Sequence, residues 1–392
     1  MKTMKKVLAM TLALTMVFAL VACGGGAKPP TKSEQDMNTP AQTPDTTIPA
    51  QNVQQSQLDT PPTKQKVGIS MPTMSLQRWN EDGNNLKKEF EALGYEVDLQ
   101  FGGDNEVPVQ IAQIENMISG GCNVLVISAI DGGSLSNVLN DAKDKGIKVV
   151  AYDRLIMGTE AVDYYATFGN LQVGIEQGLA IEEALNLKTA AGPFNIEFFT
   201  GDPGDNNINF FYPGAMQILQ PYLDSGVLVC LSGQTDIMQV ATVDWKPENA
   251  TARMENLIST NNYGPGKTPL HAVMCSNDST AQGVTVALLG AGYVAGPDFP
   301  IITGQDCDKV SVKNMIAGTQ YMSVFKDTRI LAKRVQTMVE QILSGTNVDT
   351  TTSYDNDVRQ VPTYECELLL GTKDNYREIL IDTGYYTEAE LQ

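Results

Sequence analysis

Short apolar runs alternate with amphipathic stretches from about residue 65 onward. Strand-like patterns occupy Val67–Ser70, Val97–Phe101, Val124–Ala129 and Lys148–Tyr152. Helical spacing of apolar positions separates them at Trp79–Leu93, Val107–Ser119 and Ser134–Lys145. Strands that are apolar on both faces and alternate with helices predict a parallel sheet that is covered by helices on both sides.

The same alternation then begins a second time. Further strand-like runs lie at Asn195–Thr200, Val227–Cys230, Ala272–Cys275 and Ile301–Gly304. Helical patterns separate them at Asn207–Leu223, Pro247–Ser259, Ser279–Leu289 and Lys309–Ala317. Two such units predict an α/β fold with two doubly wound parallel-sheet lobes joined by a hinge. The predicted lobes are 65–171 with 327–344, and 172–326 with 345–392.

The N-terminal residues indicate export. Three lysines at positions 2, 5 and 6 precede an uncharged run, Val7–Ala22, whose length suits a signal sequence. Leu20-Val21-Ala22-Cys23-Gly24 resembles the lipobox of bacterial lipoproteins, in which the cysteine carries the lipid anchor. We therefore expect a signal peptide at 1–22, lipidation of Cys23 and attachment to the cell membrane on its outer side. The alternative is an ordinary signal peptide in which Cys23 has no special role.

The segment 23–64 is rich in Pro, Thr, Gln and Ser and poor in large apolar residues. Such a composition cannot bury enough surface to offset the entropy of ordering, so a flexible tether is predicted. The formal net charge of the chain is −19, which argues against nucleic acid as a partner. The chain is expected to be a monomer.

The cysteines and the single histidine give no sign of catalysis or metal binding. With Cys23 lipidated, five cysteines remain, and an odd number without close spacing indicates neither a disulfide framework nor a zinc site. His271 precedes a predicted strand, and no nucleophile-elbow, zinc-protease or P-loop motif occurs. We expect no cofactor and no enzymatic activity, although Asp153, Asp205 and Asp306 leave a glycosidase pair as a rival interpretation.

Several predicted strands end in polar residues. Asp153-Arg154, Ser276-Asn277-Asp278, Gln305-Asp306 and Lys326 each follow an apolar run. Ligands of doubly wound sheets lie beyond the carboxyl ends of the strands, so these residues predict a binding cleft. Both tryptophans, Trp79 and Trp245, lie beside polar residues at loop-to-helix junctions. Carboxylates, amides, cations and aromatic rings together suit the hydroxyls and the C–H faces of a sugar ring.

Several motifs resemble one family. Lys66–Thr73, Gln77-Arg78-Trp79, Ala151–Arg154 and Gly304-Gln305-Asp306 are similar to the type I periplasmic sugar-binding proteins of ABC transporters, two-lobed proteins that close like a flytrap. The similarity is greatest to the branches that bind multiple monosaccharides and xylose, and it covers essentially all of 66–392. The resemblance implies an aldose ligand, such as xylose, glucose, galactose or arabinose, that is delivered to an ABC permease.

The resemblance also implies which residues bind the ligand. From the N-terminal lobe they are Arg78, Trp79, Asp153 and Arg154. From the C-terminal lobe they are Asp205, Asn207, Trp245, Asn277 and Asp306, with Lys326 at the hinge crossover. Nothing resembles the calcium loop of galactose receptors, so no metal is expected. Two alternatives share the fold: a sugar sensor that docks to a chemoreceptor or sensor kinase, and a receptor for a furanose signalling molecule.

Overall fold

The structure is a computed structural model that describes residues 64–392. The predicted signal peptide, Cys23 and the tether up to residue 63 therefore lie outside the described residues. Elements are numbered in chain order. The strands in the described part are β1 (Lys66–Met71), β2 (Glu96–Phe101), β3 (Val124–Ile127), β4 (Lys148–Tyr152), β5 (Tyr164–Phe168), β6 (Phe194–Phe199), β7 (Leu228–Val229), β8 (Ala272–Cys275), β9 (Ile301–Ile302), β10 (Met322–Phe325), β11 (Thr352–Asp355), β12 (Gln360–Cys366) and β13 (Leu369–Thr372).

Nine α-helices cover the sheets in residues 64–392. They are α1 (Gln77–Ala92), α2 (Val107–Ser119), α3 (Ser136–Asp144), α4 (Asn170–Ala184), α5 (Ile208–Asp224), α6 (Pro247–Asn261), α7 (Asp278–Gly290), α8 (Lys309–Ala317) and α9 (Thr328–Ser344). None of these helices combines the length and the hydrophobicity that crossing a bilayer requires.

The first lobe contains a seven-stranded sheet in the order β11-β12-β5-β4-β3-β1-β2. All of its pairs are parallel except β11 with β12. Its central strands are buried on both faces because separate apolar clusters cover the two sides. One cluster joins Ile114 of α2 and Leu139 of α3 to the sheet, and the other joins Phe90 of α1 and Val335 of α9.

The second lobe contains the parallel sheet β7-β6-β8-β9 and the antiparallel pair β10-β13. A parallel bridge between Gln305 and Val324 joins the two parts. Helices α4 and α5 pack backbone against backbone in this lobe. A Cβ added to Gly174 would lie 2.0 Å from the Phe211 carbonyl oxygen, so only glycine permits this approach.

The chain passes between the lobes three times, at 168–170, 326–328 and 366–369, and we call these crossings the hinge. The predicted assignment of 345–392 to the second lobe is therefore wrong for β11 and β12. Strand β12 pairs with β5, as Thr363 opposite Tyr165 shows, and so completes the first sheet. Only the chain after the third crossing, beginning with β13, returns to the second lobe.

The predicted α/β class with two parallel-sheet lobes is confirmed. The strand and helix patterns of both predicted units correspond to elements of the structure, with end points that differ by a few residues. Strands β5 and β11 to β13 and helices α4 and α9 were not predicted as elements. Helix α4 has no strong apolar stripe because its buried face includes Asn170, Gln177 and two glycines that pack against α5.

Candidate functional site

The candidate site residues lie at the carboxyl ends of strands or at the starts of the helices that follow. Asp153 and Arg154 follow β4, whereas Arg78 and Trp79 lie in the first turn of α1, which follows β1. The structure brings all of the predicted residues to one cleft between the lobes. Its lining includes Arg78, Trp79, Asp153, Arg154, Asp205, Asn207, Trp245, Asn277, Asp306 and Lys326.

Arg78 is the centre of the charged part of the cleft. Its Nη2 lies 2.8 Å from Asp153 Oδ2 in the first lobe, and its Nη1 lies 2.6 Å from Asp306 Oδ1 in the second. Its Nε pairs with Asp82, four residues later on α1. Lys326 Nζ lies 3.5 Å from Asp153 Oδ2 and 3.4 Å from Asp306 Oδ1. All five side chains are buried, so the two lobes share one desolvated ionic network.

A second ionic contact joins the lobes beside the first. Arg154 Nε lies 2.8 Å from Asp205 Oδ2, and both side chains are buried. Arg154 Nη1 donates a hydrogen bond to the Ala129 carbonyl (3.0 Å), which fixes the guanidinium at the end of β3. Asp205 Oδ1 accepts a hydrogen bond from the Asn207 backbone N–H (3.0 Å). Each ion of this pair is therefore also held by its own lobe.

The network keeps Asp153 ionised. Burial alone would raise the pKa of Asp153, but the charges of Lys326, Arg78 and Arg154 lower it to about 2. Burial raises the pKa of Asp82 to about 6, although the charge of Arg78 lowers it. Burial also raises the pKa of Asp205 and of Asp308. Asp153 is thus a fixed hydrogen-bond acceptor at neutral pH.

Two tryptophans supply the aromatic part of the cleft. The Trp79 ring has the Arg154 guanidinium 4.8 Å from its centroid, a cation–π distance. Trp245 has a left-handed backbone conformation (φ 58°), as does Asp244 before it (φ 59°). Such a conformation is uncommon outside glycine and concentrates at functional sites. The Trp245 ring lies against Gly201, where an added Cβ would be 1.9 Å from the ring.

This contact gives the first prediction. Replacing Gly201 by alanine is expected to displace the Trp245 ring from the cleft wall, because a methyl group and the ring cannot both fit. We expect ligand affinity to fall about tenfold, since one aromatic contact is worth ~1 kcal/mol or more. Calorimetric titration measures the loss. The matched control is Gly290→Ala, at a glycine with open space around it at the end of α7; equal losses in both variants would contradict the prediction.

The two predicted amides are already held by protein partners. Asn207 Nδ2 donates to the Asp153 carbonyl (3.0 Å), and Asn207 Oδ1 accepts from Asn170 Nδ2 (3.0 Å). Asn277 caps α7, where its Oδ1 accepts from the Thr280 N–H (3.0 Å). Each amide therefore lines the cleft and also fixes local structure.

Sequence reasoning missed several lining residues. They are Leu76, Phe211, Ser279 and Asp308, whereas Gln305 was expected at the cleft but not as a ligand-binding residue. It also missed Asp82, although its spacing of four residues from Arg78, which directly precedes a predicted helix, could have identified it as a partner of Arg78. Nothing in the sequence distinguishes Phe211 from a core residue of α5.

The mouth of the cleft carries an exposed interlobe contact. Lys246 Nζ of the second lobe lies 2.7 Å from Asp104 Oδ2 of the first, and Asn105 Nδ2 donates to the Asp244 carbonyl (3.4 Å). The space left between the lining side chains has a volume of about 30 Å³, too little for a pyranose ring. A ring-sized ligand can therefore enter only when the lobes separate. Within residues 64–392, no cluster of His, Cys, Asp and Glu is arranged to hold a metal ion.

The fold and the cleft define a class of protein. Two parallel-sheet lobes, linked by three crossings and closed over one charged and aromatic cleft, are the architecture of a hinged solute-binding protein. Residues 67–347 match the family described as "Periplasmic binding protein domain". The chain belongs to this family of binding proteins, which confirms the predicted family and the prediction that it is not an enzyme.

Similar proteins have names that refer to sugars. The chain is 48% identical over 334 residues to the multiple sugar-binding periplasmic receptor ChvE of Rhizobium radiobacter (84% of this chain, 93% of the relative). It is 36% identical over 327 residues to the D-xylose-binding periplasmic protein of Escherichia coli K12 (83% and 92%). A solved ABC transporter solute-binding protein of Clostridium phytofermentans, with bound β-D-glucose, is 55% identical and superimposes with a TM-score of 0.80 (84% and 100%).

Proposed function

We propose that the protein binds a neutral aldose between its lobes and delivers it to an ABC permease. The observation that carries this proposal is the buried network of Arg78, Asp153, Asp306 and Lys326, which joins the lobes beside Trp79 and Trp245. The relatives that bind multiple sugars, D-xylose and β-D-glucose support it.

The side chains suit the chemistry of a sugar. Each hydroxyl of a pyranose can donate one hydrogen bond and accept others. Asp153 and Asp306 can accept from hydroxyls, whereas Arg78, Arg154 and Lys326 can donate to them. Charge-assisted hydrogen bonds are roughly twice as strong as neutral ones, and they impose geometry. The rings of Trp79 and Trp245 can contact the apolar faces of the pyranose.

The hinge supplies the mechanism. In the closed form, Arg78–Asp306 and Arg154–Asp205 hold opposite lobes together directly. A sugar that replaces these contacts with its own hydrogen bonds to both lobes stabilises the closed form. In the open form the sugar can reach the hydrogen-bond partners of only one lobe at a time. An analogue that lacks a hydroxyl leaves a buried charge without a partner, which is the source of selectivity.

A thermal-shift screen tests the proposal. The purified protein is heated with xylose, glucose, galactose, arabinose, ribose or fucose. A ligand at a hundred times its dissociation constant should add ~2.7 kcal/mol of stability. A response to at least one aldose supports the proposal, and calorimetry then gives its affinity. Responses to none of the aldoses but to a furanose-locked glycoside would instead favour the furanose receptor.

We also propose that Cys23 is lipidated and holds the protein on the outer side of the cell membrane, with 23–64 as its tether. The sequence Leu20-Val21-Ala22-Cys23-Gly24 supports this. Metabolic labelling with radioactive palmitate should label the wild type and not Cys23→Ser, which should be lost from the membrane fraction. Equal labelling of both proteins would refute lipidation at Cys23.

A further inference from the structure

The end of the chain from 376 to 392, here the C-terminal segment, is anchored in the second lobe. Lys309 Nζ of α8 lies 2.7 Å from Glu390 Oε1. Apolar side chains of the segment form one cluster with α8 and with the end of β10: Ile379, Leu380, Tyr386 and Leu391 with Val312, Met315 and Phe325. The segment therefore moves with the second lobe.

Two tyrosines of this segment contact the first lobe. Gln77 Nε2 donates to Tyr386 Oη (2.7 Å), and Tyr385 Oη donates to Glu81 Oε2 (2.7 Å). Gln77 Oε1 also accepts from the Lys309 backbone N–H (3.1 Å). Both ends of the Gln77 amide are thus bound to the second lobe, although Gln77 itself belongs to α1 of the first.

The contacts lie beside the central ion pair. Gln77 directly precedes Arg78, and Tyr386 Oη donates to the carbonyl of Cys307 (3.0 Å), which directly follows Asp306. The Tyr386 hydroxyl therefore connects the chain neighbours of both partners in the Arg78–Asp306 pair. Neither Gln77 nor Tyr386 lines the cavity.

Tyr385 connects the C-terminal segment to the hinge. Its ring packs edge-on against Phe325 at 4.8 Å between centroids. Its hydroxyl is 3.1 Å from Thr328 Oγ1, where the second crossing ends and α9 begins. The C-terminal segment thus touches the hinge, the first lobe and the loop that carries Asp306.

The geometry points to Gln77 and Tyr386 as positioning residues, a brace that holds Arg78 against Asp306 in the closed form and so tunes ligand affinity without touching the ligand. This inference rests on the proposed sugar-binding function. Opening the lobes breaks the Gln77–Tyr386 contact, so the brace contributes only to the closed state. The apparent dissociation constant varies inversely with the fraction of binding-competent molecules, so loss of the brace weakens binding.

A double-mutant cycle tests the brace. Tyr386→Phe and Gln77→Ala each remove one partner, and calorimetry measures their affinity for whichever aldose the wild type binds. One hydrogen bond corresponds to about a 2- to 10-fold loss. Gln77→Ala removes this contact and also the one to the Lys309 N–H, so the double variant should lose little more than Gln77→Ala alone. The control is Tyr293→Phe, whose buried hydroxyl has no hydrogen-bond partner within residues 64–392 and whose loss should leave affinity unchanged.

Lobe separation gives a second readout that does not depend on a ligand. Single-molecule energy transfer between dyes on the two lobes should show a larger open fraction for Tyr386→Phe than for the wild type or Tyr293→Phe. Unchanged separation in Tyr386→Phe, or losses of affinity that multiply in the double variant, would overturn the brace. A wild type that binds no sugar while Tyr386→Phe still opens would refute the proposed function and leave the brace standing.

Discussion

Asp153→Ala is expected to weaken sugar binding by about 30- to 4,000-fold. Removing one partner of a buried, hydrogen-bonded charge pair costs ~2–5 kcal/mol, much of it from the charge that is left unpaired. Asp153 lies between Arg78 and Lys326, which it contacts at 2.8 and 3.5 Å. Its alanine variant loses an acceptor for the ligand and leaves both cations less well compensated.

Calorimetric titration with the sugar found for the wild type measures this loss. Circular dichroism should show an intact fold, since Arg78 keeps Asp82 and Asp306 as partners. The matched control is Glu160→Ala, in the same lobe, whose exposed carboxylate pairs with Lys143 on the surface and should not affect binding. Wild-type affinity in Asp153→Ala would remove this residue from the site.

Arg78→Met is expected to abolish binding and to lower the free energy of unfolding by about 3–5 kcal/mol at pH 7.5. The methionine fills much of the same space but leaves three buried carboxylates, those of Asp82, Asp153 and Asp306, without the cation that they share. An uncompensated buried charge is the costly outcome of breaking such a network.

The loss of stability should depend on pH with a definite sign. Arg78 lowers the pKa of Asp82 and of Asp153 in the wild type, so its removal raises both in the folded state, while the pKa in the unfolded chain stays the same. The folded variant then binds more protons than the folded wild type. The difference in free energy of unfolding between the wild type and the variant therefore becomes smaller at acidic pH and larger as the pH rises. Urea unfolding at pH 5 and pH 8 should therefore show a smaller gap to the wild type at pH 5.

The control for this variant is Arg377→Met. Arg377 forms an exposed pair with Glu388 (2.6 Å), and its loss should change stability little at either pH. If Arg78→Met is too unstable to purify, Arg78→Lys keeps the charge and should bind weakly, because a lysine cannot contact Asp153 and Asp306 in the same forked geometry. Equal stability losses in the two methionine variants would contradict the central role of Arg78.

A simple physical rule explains why the sequence places the predicted residues in one cleft. Parallel strands direct their carboxyl ends to one edge, so Asp153, Asp306 and Lys326 were expected together without knowledge of any contact. The position of Trp245 could not be foreseen in detail. It depends on Gly201, distant in the chain, and on two residues in left-handed conformations.

The lobe boundary near the end of the chain was not predictable by the same rule. Strand β12 pairs with β5, which lies far earlier in the sequence, and local propensity does not encode so distant a partner. Its alternation of half-buried and buried residues fits the edge region of either sheet equally well. Only the register of Thr363 with Tyr165 decides between them.

That late strand has a consequence for biosynthesis. While the polypeptide is still being made, β5 exposes a row of unpaired backbone amides and carbonyls along one edge, because the strand that covers it follows β6 to β10 in the sequence. The nascent chain therefore cannot complete its first sheet until the strands β6 to β10 of the second lobe have also been synthesised.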